Sequence, residues 1–122
     1  MNTALWIIQG VLALGFAAAG CTKLLTPKPK LVVKMAWAKH FAPGSIKSIG
    51  LAELLGAIGL VVPWATMIEP RLTPIAASAL VIVMAGAVAT HVRVKDPFSL
   101  CVPSIVLGTL SAIVALGRFG VV

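Results

Sequence analysis

The stretch Ser48-Ile49-Gly50-Leu51-Ala52-Glu53-Leu54-Leu55-Gly56-Ala57-Ile58-Gly59 decides how this chain is read. Glu53 is the only ionisable side chain from Ser48 to Ile68, in a run otherwise apolar enough to cross a bilayer. A carboxylate at that depth is costly against lipid, so such groups face a bundle interior or a wet cavity and mark functional sites. At helical spacing Gly50, Glu53, Gly56 and Ala57 share one face, and small residues on that face admit a second helix at close range. Glu53 is therefore expected to point into the protein.

Outward from that stretch, three more segments read the same way. The first 22 residues hold no Lys, Arg, Asp, Glu or His, and Leu72–Thr90 and Pro97–Gly117 hold no charge at all. Each approaches the roughly 20 residues that a helix needs to cross the hydrocarbon. With 60% hydrophobic and 11% charged residues in a chain of 122, lipid must be the solvent for much of the surface. The expectation is an all-α integral membrane bundle of four transmembrane helices in a single domain, 1–122. Its helices fall at about 3–23, 46–63, 72–91 and 99–117. Met1-Asn-Thr carries no side-chain charge, so Ala18-Ala-Gly-Cys21 reads as part of a permanent helix and not as a cleavage site.

Between helices one and two, Thr26-Pro-Lys-Pro-Lys30 stops the first helix. The segment at about 28–41 then reads as basic and interfacial. Lys34 falls on the side of Trp37 and Phe41, and Lys39 falls near Val32 and Met35, so snorkelling lysines fit better than a clean amphipathic helix. Ser45 is placed to cap helix two, and that helix is expected to close at about Pro63.

The net charge of +7 lies in the connections. Loops one and three hold Lys23, Lys28, Lys30, Lys34, Lys39, Lys47, Arg93 and Lys95, against Arg71 and Arg118 at the other end. The positive-inside rule puts these loops in the cytoplasm, beside anionic headgroups, and both termini outside. Trp6 and Trp64 at one end and Trp37 at the other suit interfacial belts. No basic face exists apart from the loops, which argues against nucleic acid as a partner.

That topology brings Lys23, Glu53 and His91 towards one mouth of the bundle. Such a constellation suits proton transfer. A Lys23–Glu53 pair that only orients helices one and two, and a His91 that merely ends helix three, are equally compatible with the spacing. Cys21 and Cys101 form no Cys-x-x-Cys motif and read as small packing residues. His40 and His91 do not make a metal site.

With these residues assembled, the chain resembles the DoxX-like family of small four-helix bacterial membrane proteins. The resemblance rests on Gly20-Cys-Thr-Lys23-Leu, on Ile49-Gly-Leu-Ala-Glu53-Leu-Leu-Gly56, and on Gly86…Thr90-His91 at the end of helix three. It implies residence in the bacterial inner membrane and an association with membrane redox systems, with Gly20, Lys23, Glu53, Gly56 and His91 as the candidate ligand site. The leading functional expectation is an accessory protein or binder of a small lipophile, quinone-like or lipid, beside Glu53. The alternatives are a membrane-embedded enzyme that uses Glu53 with Lys23 and His91, and a small proton-coupled transporter. A homo-oligomer is expected from the small-residue stripes on helices two and three, and a membrane redox partner is what the resemblance implies.

Overall fold

A computed structural model describes residues 2–34, 38–39 and 41–120, apart from the Lys34 side chain. Met35, Trp37 and His40, and the expectations that rest on them, lie outside the described residues. The elements are α1 (Asn2–Leu25), α2 (Lys28–Lys34), α3 (Pro43–Thr66), α4 (Leu72–Arg93) and α5 (Phe98–Arg118). All but α2 are long and apolar enough to cross a membrane. The chain is a multi-pass membrane protein.

The four long helices form a ring in which α1 packs on α3, α3 on α4, and α4 on α5. The seam that returns from α5 to α1 is much the thinnest. Leu12, Phe16, Leu60, Leu80, Met84 and Val114 fill the centre. Outside, large apolar side chains such as Leu14 and Ile82 stand exposed all round the bundle. In water so much open apolar surface would drive association, whereas in lipid it is simply solvated.

With no hydrophobic drive between helices inside a bilayer, close packing has to hold them together. Two glycines provide it where α1 crosses α3. A Cβ on Gly20 would lie 2.6 Å from the Gly50 carbonyl oxygen, and one on Gly50 would lie 2.8 Å from the Lys23 Cβ. The two backbones therefore touch, and the crossing point lies one turn from both Lys23 and Glu53.

Four boundaries differ from those expected by two residues or more, α1 running past Lys23 to Leu25. The second long helix starts at Pro43, after Ala42, with no side-chain cap. Proline at the first helical position has the required φ and lacks only an N–H that would go unpaired anyway. Ser45 thus lies inside the first turn and does not cap it. The same helix runs through Pro63 to Thr66. Pro63 cannot donate to the Gly59 carbonyl, but the Thr73 hydroxyl donates to that oxygen at 2.9 Å from α4. A neighbouring helix thus satisfies the acceptor that proline frees, which is how membrane helices tolerate interior proline. Finally, α4 continues past His91 to Arg93.

At the end where both termini lie, a polar clamp closes the ring. The Arg118 Nε donates to Gln9 Oε1 at 2.6 Å, and Nη1 donates to Asn2 Oδ1 at 2.7 Å. Gln9, fully buried, donates in turn to the Leu60 carbonyl at 2.5 Å. The guanidinium lies over Trp64 (4.5 Å to the ring centroid) and Trp6 (5.3 Å). Arg118, a topological charge in the sequence reading, is thus buried and ties α5 to α1, with both tryptophan rings against it.

The region between α1 and α3 packs on the other end. Leu31, Ala38 and Ile46 form a small separate core with Val32 and Phe41 against it. Among the described residues this segment contains one short helix, α2.

If the Gly20–Gly50 contact sets the α1–α3 crossing, Gly50→Ala is expected to destabilise the bundle by about 1–3 kcal/mol through overpacking. Gly10→Ala, where a Cβ meets nothing within 4 Å, is expected to be neutral or stabilising by up to about 1 kcal/mol. Thermal unfolding of both variants in one detergent checks the contrast.

Candidate functional site

Lys23 stands in the last turn of α1 and Glu53 in the middle of α3, about 15 Å along the axis from Pro43. The glycine crossing lets the Lys23 stem lie along α3 and reach the acid, and Nζ meets Glu53 Oε1 at 2.5 Å. Only 9% of the lysine side chain and 2% of the glutamate are exposed. A buried ion pair of this kind returns little net stability, because desolvation of both ions opposes their attraction. Losing one partner is nonetheless expensive.

The pair forms part of the wall of a cavity of about 480 Å³. That volume falls within the ordinary range for small-molecule sites. Four helices contribute to its lining: Lys23 from α1, Glu53 from α3, His91 from α4, and Leu100 and Leu107 from α5, with Phe41 from the preceding connection. The thin α1–α5 seam explains where the space comes from. Leu5 packs into Gly117 and Gln9 holds Arg118 near the termini, and Leu107 is still 3.8 Å from the Cβ position of Gly15. Beyond that level α1 and α5 part, and Ala19 and Ser104 border the cavity.

His91 carries the second polar contact. Its Nδ1 lies 2.7 Å from Asp96 Oδ2, with 13% and 15% of the two side chains exposed. The sequence reading placed Lys23, Glu53 and His91 at one mouth, and all three line the one cavity. Gly20 and Gly56 do not line it. Gly20 lies against Gly50 and Leu54, and Gly56 lies against Leu80, so both act through helix contact. Asp96 was not singled out from sequence, because five residues beyond His91 it reads as a loop charge.

The rest of the lining is mostly aliphatic, with Thr90 and Ser104 as its neutral polar members. Among the described residues, no three His, Cys, Asp or Glu side chains gather as metal ligands would. Cys21 and Cys101 are unbonded to each other, and Cys101 is buried. Each basic group of the cavity faces its own acid. The site can therefore donate and accept hydrogen bonds, with the Lys23 charge matched by Glu53.

A family model described as the DoxX-like family matches residues 7–114. The chain belongs to the DoxX-like family. The matched span takes in Lys23, Glu53, His91 and Asp96, and so covers every charged group named in the cavity. It leaves out Asn2, Trp6 and Arg118 of the terminal clamp. No curated protein and no solved structure matches the chain.

The pairing of Lys23 with Glu53 has a measurable signature. Lys23→Met leaves a buried carboxylate without its amine and is expected to cost about 3–5 kcal/mol. Adding Glu53→Leu should recover most of that loss, because two apolar groups replace the pair. Unfolding midpoints of the single variants and the double variant in detergent form the cycle that checks it.

Proposed function

We propose that this DoxX-like protein binds a small, neutral, membrane-soluble molecule in the cavity beside Glu53. The observation that carries the reading is the cavity itself, of ligand size and largely aliphatic, with the Lys23 amine paired to Glu53 and the His91 ring held by Asp96. An uncompensated amine would favour a fatty acid or phosphate, and an uncompensated carboxylate would favour a cation. A compensated pair favours an uncharged head with hydrogen-bonding groups. A quinone-like molecule or a neutral lipid meets that description. With loops one and three in the cytoplasm, the head would lie near the cytoplasmic headgroup level and the ligand would enter from the bilayer.

In this reading the protein serves membrane redox systems as an accessory that holds or presents the lipophile. A catalytic reading draws support from one feature. Lys23, Glu53 and His91, three groups able to exchange protons, line a single cavity with room for a substrate among them.

The test is what copurifies with the protein in native-lipid discs. Mass spectrometry of wild type is expected to find a defined neutral lipophile, depleted in Glu53→Gln. Ala87→Phe, which fills the cavity from α4 while leaving the Lys23–Glu53 and His91–Asp96 contacts in place, should deplete it by at least tenfold. A ligand equally abundant in wild type and Ala87→Phe would overturn the assignment to this cavity.

A further inference from the structure

The turn that ends α4 places Asp96 against His91. The amide of Lys95 donates to the Val92 carbonyl at 3.1 Å, and that of Asp96 donates to the His91 carbonyl at 2.9 Å. Lys95 takes a left-handed conformation with φ 62°. These two bonds and the positive φ make a Schellman ending, and Pro97 follows as the residue that precedes α5. The backbone of Asp96 is therefore pinned beneath the residue whose ring its side chain meets, and His91 Nδ1 lies 2.7 Å from Oδ2.

A carboxylate can only accept at that contact, so the proton of a neutral imidazole sits on Nδ1 and the lone pair on Nε2. Free imidazole side chains favour the other arrangement. Among the described residues Nε2 has no partner; it is not sealed off, and the ring lines the cavity. The groups that share this cavity are Lys23 on α1 and Glu53 on α3, already within 2.5 Å of each other. They leave His91 as the cavity's basic nitrogen.

We propose that Asp96 is a positioning residue that makes His91 Nε2 a hydrogen-bond acceptor for the ligand, so that the cavity selects lipophiles bearing a hydroxyl, such as a phenol or quinol, over their capped or carbonyl-only counterparts. This rests on the cavity being a binding site, as proposed above, and adds which chemical group the ligand turns towards α4. The hydroxyl donates to Nε2. A methyl ether of the same molecule fills the same space with no proton to give, and leaves Nε2 desolvated and unpaired.

The experiment uses 4-pentylphenol and its methyl ether, titrated at pH 8 into the full chain in lipid discs, alongside the 15N spectrum of its histidines. Wild type should bind the phenol about tenfold more tightly than the ether, the effect of one buried hydrogen bond. His91→Phe should erase the preference while still binding the ether. Asp96→Ala should weaken the preference and move the His91 proton from Nδ1 to Nε2, a shift that a purely structural aspartate would not produce. The His91 signal is assigned as the one missing from His91→Phe. Equal affinity for the two probes in wild type, or a wild-type proton on Nε2, overturns the inference and leaves the binding reading standing. Failure of wild type to bind either probe overturns both.

Discussion

Everything at the basic end of this bundle depends on bringing an ammonium and a carboxylate together out of water, between two helices that have only packing to hold them. The Gly20–Gly50 crossing makes that approach possible. With no side chain on either residue, α1 and α3 meet backbone to backbone, and Lys23 and Glu53 close the gap one turn away. The pair neutralises the acid that composition alone makes conspicuous. It also fixes the first wall of the cavity, and the polarity of that wall follows from the compensation of charge.

The ring is asymmetric in a way that creates the rest of the site. At the terminal end the Arg118–Gln9–Asn2 clamp, flanked by Trp6 and Trp64, draws α5 onto α1. At the basic end no comparable contact joins these helices among the described residues, and the space between them is the cavity. One end is therefore built for cohesion and the other for occupancy. Helix α4 supplies the remaining polarity through His91, whose partner is delivered by the helix ending itself.

Much of this was legible in the sequence, and the reason is the bilayer. Four uncharged or nearly uncharged runs leave one architecture open, and a lone Glu53 among small residues has to face inward. Lys23 and His91 line one cavity, and helix length is what makes those two helix ends coincide in a sequence reading. What escaped the reading depends on contacts between distant residues. Gln9 is the one amide within the first span after Asn2, a usable signal, but its partner Arg118 comes from the far end of the chain. Pro63 seemed to end a helix because its freed acceptor, Gly59, is satisfied by Thr73, on the next helix. Asp96 looked like a loop charge because only the left-handed turn at Lys95 folds it back onto His91.

The most direct measurement is a high-resolution density map of the wild-type protein extracted with its native lipids. Lys23 and Glu53 are expected within ion-pair distance, with density for a small molecule between α1, α3, α4 and α5, in contact with that pair and with His91. A bundle in which α1 and α5 close over the same space along their whole length, with side chains filling it and Glu53 turned away from Lys23, would contradict that expectation.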